Sequence, residues 1–469
     1  MRTEAAAVRQ RLRIPASLPP GKLLVIAGLS AFAVALGGYI AFTATQPVDH
    51  WLSPVDLHVY RLGGEVAAGL RPRYQKLAAP LYDWPGHGLK FTYTPAAALV
   101  FTLLAVPSWA VLLKLSLAVS MTAMVAGIWF TLGGLGYRAG AARIGGTLLL
   151  AAVLLWTEPV QRTLYLGQVE LVLMALVMWD LSQPQSRRWQ GAGVGLAAGI
   201  KLVPLVFIPY LLLTRRFRQA AVATGAFLAT IVAGFIVLPA DSRVWWLDGL
   251  FFRAGRTGFA GWEGNQSLQG LITRLAGSIA GGRLTWLILA VVTMACGVAA
   301  SAALDHAGHW MAGVLTCALT GLLVSPISWD HHWVWVVPGV TILAAYAVRT
   351  RGRARWAYLG SAAVLTAVFG AWPGALWGQT FKVGGFPFGL IWIPPNTNPA
   401  TFARLGDRPW YVEYHWHGAQ ILAGNLYVLT GMLALVLLVV VAVRSLPGLP
   451  GQRASRPPAV PAIASGHGR

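Results

Sequence analysis

A carboxylate opens the stretch SPVDLHVYRLGGEVAAG, Ser53–Gly69: Asp56, just beyond a long apolar run and a Ser-Pro step. Such a group can take a proton from a hydroxyl. It can also do no more than begin a helix, because Ser53-x-x-Asp56 is close to a capping box and Pro54 suits the first helical position. The helix dipole would make it a poorer base, whereas burial near lipid headgroups acts the other way. The residues alone leave both readings open. Farther along, His331 and His332 follow Asp330. A histidine pair can hydrogen-bond a phosphate or orient a sugar hydroxyl, or merely pack beside Trp329, Trp333 and Trp335; His332 is the preferred candidate of the two. Lys201 interrupts an apolar run beside Pro204. A lysine inside a membrane segment is costly and functional by default, unless it snorkels to the interface. Arg274 can clamp a phosphate bidentately, or act as a solvated loop charge or lipid anchor. Gln168 and Glu170, like Asn265 and Gln266, can bind sugar hydroxyls or simply cap and join elements. His415 and His417 read as exposed, and no third ligand is spaced for zinc. The chemistry within reach of such a set is proton abstraction from a hydroxyl beside a departing phosphate, with no metal required.

These residues need a membrane to hold them. Of 469 residues, 56% are hydrophobic and only 11% charged, whereas a soluble protein carries charge on about a quarter. Runs such as Leu23–Thr43, Ala220–Leu238, Leu284–Ala303 and Ile421–Val443 approach the ~20 apolar residues that cross a bilayer core. The first run lacks a small-residue cleavage site and is expected to be a retained span. The net charge of +21 does not point to nucleic acid. Arginines punctuate short connections at 138 and 143, 187 and 188, 215–218 and 349–355, which is the positive-inside pattern, and no folded basic domain exists to carry a nucleic-acid footprint. Cys296 and Cys317 lie in apolar runs and read as small core residues.

Placing the basic connections in the cytoplasm predicts an all-helical integral membrane protein of about twelve spans with both termini inside. The domains are a basic N-terminus, 1–21, a membrane catalytic domain, 22–443, and a disordered cytoplasmic tail, 444–469. The outer loops are 45–95, 239–283 and 373–420. Ala96–Ser108 is expected to be interfacial or re-entrant. Ile144–Trp156 and Val169–Asp180 are expected to pair through an outer connection. Gly191–Thr214 lies between two arginine clusters and must cross an even number of times, as two short helices broken near Lys201–Pro204; such breaks need protein or water to satisfy the backbone. On this topology only Glu4, Asp180 and Asp305 of the fifteen acidic residues fall away from the outer face. Long loops tend to carry function, so the working face is expected to be extracytoplasmic, at the plasma membrane.

No Gly-rich nucleotide loop and no zinc-protease signature is present. A lipid-borne substrate at the outer leaflet fits better than a nucleotide-sugar. In order along the chain come DLHVY at Asp56–Tyr60, FTYTPAAAL at Phe91–Leu99, LYLGQVELVLMAL from Leu164, GIKLVPLVFIPYLL from Gly199, NQSLQGLITR at Asn265–Arg274 and SPISWDHHWVW at Ser325–Trp335. Spread over most of the chain, these stretches resemble glycosyltransferase family 87, polyprenyl-phosphate-sugar enzymes of the GT-C fold. Glu170 departs from the Asn expected after Gly-Gln-Val, which leaves that position's role open. The resemblance implies an inverting α-1,2-mannosyltransferase that takes mannose from polyprenyl-phosphate-β-D-mannose to a lipid-linked mannoside such as a phosphatidylinositol mannoside or lipomannan. It implies Asp56 as general base, with Tyr60 in the same motif near substrate. His332, Lys201 and Arg274 are then candidates to stabilise the developing phosphate charge. The implied partners are the donor, a glycolipid acceptor and membrane lipids, with a monomeric protein and no cofactor. An arabinofuranosyltransferase of the same family, or a transporter or flippase built on the broken hairpin at Lys201, are the alternative expectations.

Overall fold

The computed structural model describes residues 21–45, 52, 54–71, 90–372, 389–397 and 407–445. The basic N-terminal arm, Ser53, Asp49, Asp83, the 373–388 and 398–406 parts of the third loop and the tail after Pro447 lie outside the described residues. What is described is helical, with isolated bridges at Thr157–Gly370 and Asn265–Trp329. The helices are α1 (Gly21–Thr45), α2 (Val55–Ala67), α3 (Pro95–Phe101), α4 (Trp109–Gly134), α5 (Ala141–Leu154), α6 (Glu158–Leu166), α7 (Glu170–Ser182), α8 (Ala192–Ile200) and α9 (Phe207–Leu213). They continue with α10 (Phe217–Val237), α11 (Leu268–Ala276), α12 (Ile279–His306), α13 (Trp310–Val324), α14 (Val336–Arg349), α15 (Gly352–Val368) and α16 (Leu426–Arg444). A 3-10 segment, Asp330–Trp335, leads directly into α14.

Among the described residues, six stretches are long and apolar enough to cross a bilayer: α1, α4, α10, α12, Asp330–Arg349 and α16, or seven if the bent pair α6–α7 is one span. The expectation of about twelve is therefore not reached by length. Elements such as α5, at 14 residues, and α13, at 15, are apolar but rise only some 20 Å at ~1.5 Å per residue, short of a ~30 Å hydrocarbon core. The connection expected between residues 156 and 169 is itself helical. That stretch forms helix α6, which meets α7 at a bend of 117°. In Ala96–Ser108, α3 and the 3-10 turn Thr102–Ala105 make a short apolar element.

The break inside 191–214 falls where the sequence placed it. Lys201 leaves the helix in an extended conformation, and Pro204 begins a 3-10 turn before α9. Close approaches of Gly191 to Gln219, Gly195 to Ala223 and Gly199 to Thr230 run in step, so α8 lies parallel to α10. The Leu211–Arg216 turn then folds α9 back antiparallel to α10. The segment is therefore a hairpin with Lys201 near its tip. A backbone carbonyl beside the break, Gly199 O, is taken up by the hydroxyl of Thr94, which also caps α3 by accepting from Ala97 N at 3.1 Å. Side-chain satisfaction of this kind is what a broken apolar helix requires.

The arginine connections gather at the end away from that tip. Arg143 binds the carbonyls of Trp129 and Tyr137, Arg349 stacks over Tyr137 at 4.2 Å, Arg218 binds Arg187 O at 2.8 Å and Arg216 pairs with Asp305 at 2.6 Å. Between the ends lies one apolar core built on Met124 and Ile128 of α4, Leu171 and Val177 of α7, Phe207 of α9, Leu323 of α13 and Val337 of α14. Dense packing among these elements, not lipid, holds α7 and the Lys201 hairpin in register.

Candidate functional site

Helix α2 is amphipathic. Leu57, Val59, Tyr60 and Leu62 are buried, and Gly64 lies so near α3 that a Cβ there would fall 2.1 Å from Phe101 O. This close seating presents Asp56, in the first turn, to the bend between α6 and α7. The helix starts at Pro54 without a side-chain cap. The capping box expected of Ser53 and Asp56 involves a residue outside the described ones. Asp56 Oδ2 accepts a hydrogen bond of 2.8 Å from Gln168 Nε2.

Gln168 stands in the bend itself. Gly167 has φ +69°, a left-handed conformation open to glycine, and a Cβ there would meet Leu57 Cβ at 2.6 Å. The sharp turn and the close packing of α2 thus depend on the same residue. Tyr60 OH and Tyr93 OH both donate to Gln168 Oε1, the latter at 3.2 Å, and the two hydroxyls lie 2.7 Å apart. With its oxygen held by two hydroxyls, the amide turns its NH2 toward Asp56. The Tyr60 ring is fixed in turn by stacking on Phe101 at 4.7 Å. Burial pushes the Asp56 carboxyl above the ordinary carboxylate range, while His331, the Gln168 hydrogen bond, Lys201 and Arg162 oppose that shift without cancelling it. A carboxylate so placed is a stronger base than one in water.

A second group meets at the start of α7. Lys201 Nζ, at the hairpin tip, is ion-paired with Glu170 and lies 2.9 Å from His332 Nε2, with the Tyr93 ring 5.6 Å away. His332 Nε2 is 3.6 Å from Glu170 Oε1. The Trp329 backbone N–H donates to His332 Nδ1 at 3.2 Å. The Lys201 ammonium at Nε2 and the Trp329 N–H at Nδ1 both ask the ring for an acceptor, which a neutral imidazole offers at one nitrogen only, so the two contacts compete for it. Glu170, Lys201, His332 and Trp335 line a cavity that continues over Met174, Val177, Val206, Phe207 and Leu322. About 480 Å³ of space between atoms, open solvent included, lies against these residues. A charged head and an apolar body suit an amphiphile whose anionic end meets Lys201.

His331 turns the other way. Its Nδ1 is 3.0 Å from Asp330 Oδ1, and its Nε2 is buried with no hydrogen-bond partner among the described residues. Its ring meets His332 edge-on at 4.7 Å. Asp330 Oδ2 lies 3.3 Å from Nε of Arg162 on α6, and the Arg162 guanidinium sits over the rings of Tyr165 and Trp392 at 5.1 and 5.3 Å. Beside them Glu158 is buried, accepting from Trp392 Nε1 at 3.1 Å and Tyr427 OH at 3.0 Å. Sequence reasoning missed Arg162, Tyr93 and Glu158. The available signal was a lone arginine and a lone glutamate in an otherwise apolar segment away from the basic connections.

The structure brings together Asp56, Tyr60, Gln168, Glu170, Lys201, His331 and His332. It does not bring Arg274, Asn265 or Gln266 to them. Arg274 is buried, donating to Asn425 Oδ1 at 2.9 and 2.6 Å, to Trp262 O at 2.8 Å and to Asn265 O at 3.0 Å. Those donors are committed to one loop and one helix start, so the phosphate-clamp expectation for Arg274 is corrected: it is a tie. Burial lowers its pKa to about 10. Asn265 donates to Ala260 O and Pro326 O and accepts from Ser328 N; Gln266 donates to Glu263 O and Gly424 O. Both side chains tie backbone segments together, which corrects their sugar-binding expectation.

Comparison with known proteins bears on this arrangement. The model of Glycosyltransferase family 87 matches residues 91–326. The chain is 33% identical over 418 residues, 87% of its own length and 86% of the relative's, to the polyprenol-phosphate-mannose-dependent alpha-(1-2)-phosphatidylinositol pentamannoside mannosyltransferase of Mycobacterium tuberculosis strain CDC 1551. It is 32% identical over 330 residues, 68% of its own length and 75% of the relative's, to the polyprenol-phosphate-mannose-dependent alpha-(1-2)-phosphatidylinositol mannoside mannosyltransferase of Mycobacterium tuberculosis strain H37Rv. No solved structure matches the chain.

Proposed function

The chain belongs to glycosyltransferase family 87, and from that premise we propose that it is a polyprenyl-phosphate-mannose-dependent α-1,2-mannosyltransferase acting on a phosphatidylinositol mannoside. The observation that carries this reading is the pairing of two features on one side of the helical body. One is a buried carboxylate oriented by an amide, Asp56 on Gln168; the other is a cationic head, Lys201 with His332, on an apolar cleft.

The donor's phosphate rests at Lys201, beside His332, with its first isoprene units along Met174, Val177, Phe207 and Leu322. Asp56 takes the proton of the acceptor's 2-hydroxyl as that oxygen attacks the anomeric carbon from the face opposite the phosphate. The C1–O bond to phosphate breaks in the same displacement, and its electron pair leaves on the phosphate, which Lys201 stabilises. Configuration inverts from β to α with no glycosyl-enzyme intermediate, the transfer counterpart of inverting hydrolysis. Cations already in place at the departing oxygen lower the barrier without reorganising, so the reaction needs no metal. The gathering of basic connections at the far end supports a site on the extracytoplasmic side of the plasma membrane.

The test is transfer by the detergent-purified protein from radiolabelled polyprenyl-phosphate-mannose to phosphatidylinositol mannosides of increasing length, with product mass and linkage determined. Formation of an α-1,2 bond supports the reading; transfer of arabinose in preference, or movement of lipid across sealed vesicles without a new glycosidic bond, overturns it.

A further inference from the structure

The ammonium in the cleft is held by a carboxylate. Lys201 is ion-paired with Glu170, and His332 Nε2 lies 2.9 Å from Lys201 Nζ and 3.6 Å from Glu170 Oε1. These three polar side chains form one end of the lined cavity, whose other wall is apolar. A phosphate entering to bind Lys201 must therefore take its place against a carboxylate already bound there. The groups that face Glu170 are Lys201 and His332. Tyr93 adds its ring face to Lys201.

The charge of the ligand decides how much that matters. A glycosyl phosphate diester carries one negative charge at neutral pH. The phosphate monoester left after transfer carries about −1.5 to −2. We propose that Glu170 is a charge filter on the cleft, an intramolecular counter-ion that tolerates the singly charged donor and repels the doubly charged spent carrier, thereby speeding product release. This rests on the reading that the donor's phosphate sits at Lys201. It turns a residue that weakens an anion site into one that directs turnover. With Lys201 and His332 alone, the dianionic product would bind more tightly than the substrate and block the next cycle.

Competition binding on the full-length, detergent-purified protein at a fixed pH of ~7.5, where the monoester's second ionisation is largely complete, tests this. The probes are polyprenyl phosphate, its methyl ester as a monoanionic match, and polyprenyl-phosphate-mannose. The wild-type protein is expected to bind the methyl ester more tightly than polyprenyl phosphate. Glu170→Gln is expected to reverse that order, tightening polyprenyl phosphate about tenfold and the donor less than threefold, with product inhibition of transfer strengthened in parallel. Glu170→Asp keeps the charge and is expected to keep the wild-type order. If the wild-type protein already prefers the dianion, or if Glu170→Gln leaves the order unchanged, the filter is refuted, and the wild-type measurement stands even where a variant fails to fold. Lys201→Met tests the underlying reading separately: should it bind all three probes as tightly as wild type, the phosphate does not sit at Lys201, whatever Glu170 does.

Discussion

Gln168 makes the sharpest demand on the proposed site, because its two ends do different things. Its amide NH2 donates to Asp56 Oδ2 at 2.8 Å, and its oxygen accepts from two tyrosine hydroxyls. Replacing it with Met keeps the length and removes both ends. A hydrogen bond to a charged group contributes about 1.5–3 kcal/mol, and one pKa unit is about 1.4 kcal/mol. The Gln168 bond favours the ionised form of Asp56, so losing it moves the carboxyl further up, by about one to two units. A base works only when ionised. The acid limb of kcat/KM for mannose transfer in Gln168→Met is therefore expected to shift to higher pH by that amount, while the alkaline plateau stays within about tenfold of wild type.

The assay is a pH profile of transfer from polyprenyl-phosphate-mannose between pH 4.5 and 9, with saturating acceptor. A plateau that falls a hundredfold while the acid limb stays in place would refute the reasoning; Gln168 would then touch substrate instead of tuning the base. Tyr93→Phe separates the two ends further. It leaves the amide with Tyr60 as one anchor and is expected to shift the same limb in the same direction by a smaller amount.

Asp56→Asn is expected to lower transfer by about 10²–10⁴-fold, the usual span for a lost general base. Because the folded carboxyl sits above its unfolded value, Asp56 stabilises the fold most at low pH and that contribution is lost as pH rises through the folded pKa; a melting curve at pH 8 should therefore place Asp56→Asn above wild type, and one at pH 4 should not. Arg162→Ala leaves Asp330 buried without its cation and should lower the thermal midpoint as well as kcat, with Arg162→Lys recovering more of the stability than of the rate. Arg274→Met removes donors to Asn425, Trp262 and Asn265; stability should fall by about 3–5 kcal/mol, read as lost folded yield and lower thermal midpoint, while the KM for donor in the folded fraction stays near wild type.

Some of this site was legible in residue types, and some was not. Asp56 and Lys201 could be read because each is a charge in an unlikely place: a carboxylate just past a span, and a lysine inside an apolar run beside a proline. The break at Lys201 followed from the two flanking arginine clusters, which permit only an even number of crossings. The partners were not legible. Tyr60 meets Tyr93 across 33 residues and Gln168 across 108, and nothing in local pattern joins them. Arg274 was misread for the same reason. Its burial depends on Asn425, 151 residues away, and a loop charge looks solvated until its acceptors are known. Arg162 was lost differently, because a segment taken as a connection is in fact the helix that carries it.

The two backbone interruptions explain why this many polar groups can stand in so apolar a body. Gly167 turns α6 into α7 and leaves Gln168 pointing at α2; Lys201 ends α8 and leaves its side chain pointing at α7 and the 3-10 segment. An unbroken helix would bury its own amides and give the site neither direction. Each break frees polar groups, and each is answered from the segment between α1 and α4: Tyr60 and Tyr93 hold the amide of Gln168, and Thr94 binds Gly199 O. Thus α2 and the FTYTP strand of chain before α3 stabilise both interruptions at once, and Asp56 is carried in by the element that does so. Catalytic position and helix-break satisfaction are then one structural requirement. A substitution that loosens the seat of α2, such as Gly64→Leu against Phe101 O, is expected to disturb the base and the Lys201 tip together, although it touches neither.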